Sequence, residues 1–126
     1  RKNLQIVKQY YNTNGFPGIK ENGEETAMYF WVIVQHGDDD VVFQSKILKA
    51  MKKELNKENA SRRNYAFLYD RVMKNKNKPQ LFGTQMIWDS TGYHRPYIIK
   101  RIKNVNRRRI KYDLDNLENY INKVNK

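Results

Sequence analysis

The chain has no cysteine, which excludes a disulfide scaffold, a zinc knuckle and a thiol nucleophile. It also lacks a long apolar run. The longest, Ala27–Val34, is eight residues, against about 20 needed to span a bilayer, so no transmembrane segment is expected. Apolar residues make up 39% of the chain, below the about 45–50% of a typical globular domain. No G-x-S-x-G, Walker-type G-x-x-x-x-G-K-[ST] or G-x-G-x-x-G motif occurs, so common hydrolase, nucleoside-triphosphatase and dinucleotide-binding readings have no motif support. One His beside carboxylates, with no H-E-x-x-H, is a weak zinc pattern. No metal ligand and no cofactor is therefore assigned.

What is present argues against global disorder. Aromatics reach 13%, enough apolar area for a core. A length of 126 residues predicts one domain, residues 1–126. Lys and Arg number 25 against 13 Asp and Glu, a net charge of +12. The excess is uneven: residues 1–45 carry −2, residues 46–78 +8, residues 79–99 zero and residues 100–126 +6. Fifteen Asn accompany the Lys-rich segments, so part of the charge reads as composition on solvated faces rather than function. The first residue is Arg rather than Met, so a fragment, a processed product or the ordered part of a longer chain is expected. The sequence leaves the compartment open between the cytoplasm and, if an N-terminal signal has been removed, export.

Hydrophobic spacing predicts mainly α structure: about four to five helices in a compact bundle, with a small β-hairpin. Leu4–Tyr11 forms one short helix, ended by Asn14-Gly15-Phe16-Pro17-Gly18. Glu24 and Glu25 open a second through Ala27–Val34. The clearest helix is Asp38–Leu55, and Arg62–Lys74 forms another, with Asn59 or Ser61 as its N-cap. Gln80–Trp88 and Tyr93–Ile99 pair as the hairpin. Val105–Ile110 and Leu114–Val124 return to helical spacing. His94 is expected on an exposed loop.

Polar side chains interrupt these apolar faces. Along one helix face run Leu55, Met51, Leu48, Gln44, Asp40 and His36, at steps of three or four residues. If Gly37 breaks the helix, Asp38 or Asp39 takes the place of Asp40. Asp70-Arg71 sits inside the Arg62–Lys74 pattern beside Tyr69 and Val72. A His beside carboxylates suits a general base, and an Arg suits an anion through its bidentate fork. Gln44, Gln80, Thr84 and Gln85 add neutral hydrogen-bonding groups. Separately, Arg107-Arg108-Arg109, flanked by Lys100, Arg101, Lys103 and Lys111 with Tyr97 and Tyr112 nearby, is a candidate nucleic-acid patch. The competing reading is a solvated helix face with one Arg turned back onto a carboxylate.

These residues resemble a family of bacterial domains of unknown function. Trp31-Val32-Ile33-Val34-Gln35-His36-Gly37-Asp38-Asp39-Asp40 with Phe43-Gln44 is similar to its W-x-x-V-Q-H-x-D-x-D...F-Q pattern. Asp70-Arg71-Val72 and Lys78-Pro79-Gln80-Leu81-Phe82-Gly83-Thr84-Gln85 continue the match, the latter to G-K-P-Q-x-Y-G-T-Q. Val105-Asn106-Arg107-Arg108 with Leu114, Leu117 and Tyr120 resembles the family's tail, and Asn14-Gly15-Phe16-Pro17 its G-W-P turn. The sequence departs from the pattern at Asn77, Phe82 and Ile110-Lys111. The resemblance implies no reaction. It implies that Gln35, His36, Asp38, Gln44, Asp70, Arg71, Gln80 and Gln85 form one set, with Arg107 or Arg108 as candidates to join it.

The expected function is a polar pocket for a small anionic or nucleotide-like ligand, hydrolytic if His36 acts as base. Asp38 or Asp40 would orient His36. Gln35, Gln44, Asp70, Arg71, Gln80, Thr84, Gln85, Arg107 and Arg108 would contact the ligand. The alternative is a non-enzymatic basic module that binds nucleic acid or another partner.

Overall fold

A computed structural model of the chain describes residues 2–126. Among these residues it is mainly helical, with seven α-helices, one two-stranded antiparallel sheet and a single 3-10 turn. The helices are α1 (Lys2–Asn14), α2 (Ile19–Asn22), α3 (Glu24–Gln35), α4 (Val41–Leu55), α5 (Arg62–Asn75), α6 (Val105–Lys111) and α7 (Leu117–Val124). The strands are β1 (Met86–Trp88) and β2 (His94–Pro96), with Ile87 opposite Arg95. None of the described helices is long and apolar enough to cross a membrane.

The count of seven helices exceeds the expected four to five, and α2 is the one that no sequence segment indicates. It is one turn between Gly18 and Gly23, too short for any periodicity to show. Asn59 holds it: its Oδ1 accepts from the Lys20 N–H at 2.6 Å and its Nδ2 donates to Glu21 and Glu54. Ser61 rather than Asn59 caps α5, accepting from the Asn64 N–H at 3.0 Å. α4 starts at Val41 rather than Asp38, because the Asp40 carboxylate accepts from the Phe43 N–H at 3.1 Å and satisfies a donor no helical carbonyl can reach. The predicted break falls at Gly37. Its N–H bonds back to Val34, and its carbonyl accepts from the Asp40 N–H, each at 3.0 Å.

The larger core cluster joins Leu4 and Val7 of α1 and Phe30 and Val34 of α3 to Phe43, Ile47, Met51 and Leu55 of α4 and Tyr65, Leu68 and Val72 of α5. Ala66, Phe82 and Leu114 centre a smaller one, and Tyr69 and Tyr112 touch both. The strands pair over only three residues each, fewer than the expected hairpin arms. They are held from outside instead. Asn125, just beyond α7, accepts from the His94 N–H and donates to the His94 carbonyl, both at 2.7 Å. His94 is thus a half-buried strand residue whose ring lies 5.2 Å from that of Trp88, not a loop residue.

Candidate functional site

The break at Gly37 decides which aspartate matters. Asp38 lies on the α3–α4 connection and receives the fork of Arg71 from α5: Nε to Oδ1 at 2.9 Å and Nη2 to Oδ2 at 2.7 Å. Asn75, one turn further along α5, donates to Oδ1 at 2.8 Å. Gln44 of α4 donates to it at 3.4 Å and to the Val34 carbonyl at 3.0 Å. The Gln44 Oε1 in turn accepts from Asn75 at 3.0 Å. The Arg71 fork holds the Asp38 carboxyl well below the usual range, against a smaller opposing effect of burial. The same bond raises the Arg71 pKa.

Asp70 and Arg71 do not pair with each other. Being adjacent on a helix, they project about 100° apart. Asp70 is fully buried and accepts from the N–H groups of Leu81, Phe82 and Thr84 and from the Thr84 hydroxyl, at 2.8–3.0 Å. It shapes the Phe82-Gly83-Thr84 turn. Burial pushes its carboxyl upward, and the four donors oppose that shift. Gln80 is buried too, and clamps the same segment: Nε2 donates to the carbonyls of Gln85 and Tyr97, and Oε1 accepts from the Gln85 N–H. Both residues position the loop, and neither is among the residues that line the cleft described next.

The expected residues that do converge are Gln35, His36, Arg71, Thr84 and Gln85. They line one cleft of about 370 Å³ with Trp31 of α3, Phe67 of α5, Met86 and Trp88 of β1, and Tyr120 and Val124 of α7. Arg71 Nη1, the amino group the Asp38 fork leaves over, donates to Gln85 Oε1 at a long 3.4 Å. Gln85 Nε2 donates to Thr84 Oγ1 at 3.1 Å. Gln35 is 5% exposed. Its Nε2 donates to the Phe67 carbonyl at 3.2 Å, which fixes the amide orientation. Its buried Oε1 has no hydrogen-bond partner. His36 ends α3, its N–H bonded to Val32 at 3.2 Å, and its side chain is exposed where the cleft opens.

Three expected residues lie elsewhere. Asp40 caps α4 and takes the Lys8 ammonium at 2.6 Å. Arg107 is exposed on α6. Arg108 folds back instead, donating to the carbonyls of Leu81 at 2.7 Å and Lys100 at 2.6 Å. Arg109, also in that run, is 1% exposed, bonded to the carbonyls of Phe82 and Asp115 and to the Asp115 carboxylate. This is the arginine turned back onto a carboxylate that the competing reading anticipated.

Sequence reasoning missed Asn75 and the aromatic walls, although helical spacing held a signal for three of them. Trp31 precedes Gln35 by four residues, Phe67 precedes Arg71 by four, and Arg71 precedes Asn75 by four, so each pair shares a helix face. Tyr120 carried no such signal. Its hydroxyl donates to the Thr84 carbonyl at 2.7 Å across a gap of 36 residues.

A family model described as a family of unknown function (DUF6624) matches residues 1–126. No curated protein and no solved structure matches the chain.

Proposed function

The chain belongs to DUF6624, a family of unknown function, and since that membership carries no chemistry we propose from the cleft itself that the domain binds a small planar ligand with an anionic group. The observation that carries this reading is the convergence, on one cleft, of four aromatic side chains from four elements with Gln35, His36, Arg71 and Gln85. Aromatic walls with a few polar groups are the usual make-up of a small-molecule site. Arg71 supplies an amino group beyond its Asp38 pair, and His36 a second polar group at the mouth. The buried, unpartnered Gln35 Oε1 calls for a hydrogen-bond donor, because an unsatisfied acceptor costs about 1–3 kcal/mol. A nucleotide has this combination of base, donor edge and phosphate.

The reading is one of binding more than hydrolysis. Asp38, expected to orient His36, is engaged by Arg71, Asn75 and Gln44. A nucleic-acid module draws less support at the arginine run, because Arg108 and Arg109 spend their guanidinium groups on backbone carbonyls.

The chain's two tryptophans both line the cleft, so their fluorescence reports on it directly. Titration with AMP, UMP and orthophosphate should give saturable quenching by a nucleotide. Arg71→Gln and Gln35→Leu, shown to be folded by circular dichroism, should weaken it at least tenfold. Absence of a saturable response to all three probes, or unchanged titrations in both variants, would sink the proposal.

A further inference from the structure

The cleft continues past its aromatic walls. Phe67, Tyr120 and Val124, which line it, also line a second hollow of about 450 Å³, so the two are halves of one groove. Phe67 and Tyr120 form the divide between them, edge to face with ring centroids 6.2 Å apart. The Tyr120 hydroxyl donates to the Thr84 carbonyl at 2.7 Å, which fixes that divide against the cleft wall. Leu114 adds further apolar lining on the far side.

Arg63 stands in the second hollow. Arg63, Phe67 and Arg71 follow one another at four-residue steps along the single 14-residue helix α5, so they share one face. The two arginines are about 12 Å apart along its axis. The Arg63 guanidinium lies 4.5 Å from the centre of the Phe67 ring. Among the described residues it makes no hydrogen bond and no ion pair, so its donors are unspent. The other two cations of the hollow are engaged: Arg109 and Lys123 both reach the Asp115 carboxylate, at 3.3 and 2.9 Å. Exposed Asp113 is the remaining charge.

Each half of the groove thus repeats one chemistry: apolar lining with one guanidinium that still has donors to give. Arg71 is fixed by its Asp38 fork, so an anion held there leaves Arg63 unused. We propose that the groove takes a 5′-phosphorylated dinucleotide, with its terminal phosphate at Arg71, its linking phosphate at Arg63 and its second nucleoside in the Arg63 hollow. The inference rests on the reading of the cleft as a nucleotide site and names the ligand class of that site. A second anion alone calls for no apolar lining, whereas a nucleoside does. Asp113 and Asp115 set the far end: carboxylates disfavour a third phosphate and accept from the hydroxyls of a neutral terminus. The ligand therefore ends there and does not run on as a longer strand.

The test is tryptophan fluorescence titration of the whole chain with AMP, adenosine 3′,5′-bisphosphate, the dinucleotide pApA and a hexaadenylate, all at one ionic strength. The dinucleotide should bind about tenfold more tightly than AMP, the gain of one charge-assisted contact. It should also bind more tightly than the bisphosphate, which has the second phosphate but no second nucleoside. Arg63→Gln, with unchanged circular dichroism, should remove the advantage of pApA over AMP and leave AMP binding as in the wild type. Lys49→Gln, which removes one charge from the exposed side of α4, should leave that advantage in place. Equal affinities for AMP and pApA overturn the inference and leave the mononucleotide reading standing, whereas no response to either defeats both. Equal losses of AMP and pApA binding in Arg63→Gln overturn it too, as does an equal loss of the advantage in Lys49→Gln. So does a bisphosphate that binds as well as pApA, or a hexaadenylate that binds far more tightly.

Discussion

Asp38 and Asp70 are both central to the fold, yet their surroundings push their carboxyl groups in opposite directions. Asp38 keeps 43% of its side chain exposed and is held below its ordinary 3.8 chiefly by the Arg71 fork. A depressed acid contributes stability that is present above its unfolded pKa and is lost as pH falls through the folded value. The Asp38 contribution is therefore whole at neutral pH and erodes below about pH 4. Asp38→Asn should cost about 1 kcal/mol at pH 7, the modest figure that a partly exposed pair warrants. The gap between wild type and variant in urea midpoint should then narrow progressively as pH is lowered from about 4 toward 2, and a constant gap over that range would disprove the role of charge. Asp70 behaves differently, because burial raises it and its ionised form is tolerated only through four donors. Asp70→Asn turns an amide N–H toward donors that need an acceptor. We expect a loss of about 3 kcal/mol in chemical denaturation, several times that of Asp38→Asn; equal losses would argue against the four-donor account.

Among the elements, the Gly83-Thr84-Gln85 stretch shows what one residue decides. Gly83 sits at φ +72°, and a Cβ there would lie 2.8 Å from Leu117 Cδ1 and 3.1 Å from Ile99 Cδ1. Gly83→Ala adds left-handed strain to overpacking. It should lower stability by about 2 kcal/mol and loosen α7, seen as faster hydrogen exchange at Tyr120 and Ile121. Wild-type stability in this variant would mean that the turn relaxes freely. The same stretch marks how far the sequence could be read. The long helices were visible because α4 and α5 repeat apolar residues every three or four positions, and the α4 break was visible at Gly37. The choice of Asp38 over Asp40 was open until the Phe43 N–H claimed Asp40 as a cap. The Asp38–Arg71 pair joins residues 33 apart, and no local spacing encodes such a meeting. Tyr120 of α7 and Asn125 just beyond it reach the 84–94 segment and are out of view for the same reason. Asp70-Arg71 read as one charged pair and turned out to be two separate anchors, because neighbours on a helix point apart.

At the scale of the molecule, the helices of the larger cluster and the loop-rich segment from Gln80 onward are joined through a small set of rings. Tyr65 stacks on Tyr112 at 5.7 Å, Tyr112 meets Phe82 at 4.8 Å, and Phe82 meets Tyr69 edge-on at 5.8 Å. Tyr112 and Tyr69 contact both clusters. Tyr112 follows α6 and its ring is half-buried, so truncation removes packing from both sides at once. Tyr112→Ala should therefore cost about 2–4 kcal/mol, more than its own exposure would suggest. The ring ladder also couples the two parts, so the wild type should unfold in guanidinium chloride as one transition. Far-UV circular dichroism, dominated by the helices, and tryptophan fluorescence, which includes Trp88 on the hairpin, should trace the same curve. In Tyr112→Ala the two curves should separate, with fluorescence changing first as the 80–99 segment detaches before α3, α4 and α5 melt. Coincident curves in the variant would show that Asp70, Gln80 and Arg109 suffice to hold the segment, and that the aromatic ladder adds stability without cooperativity.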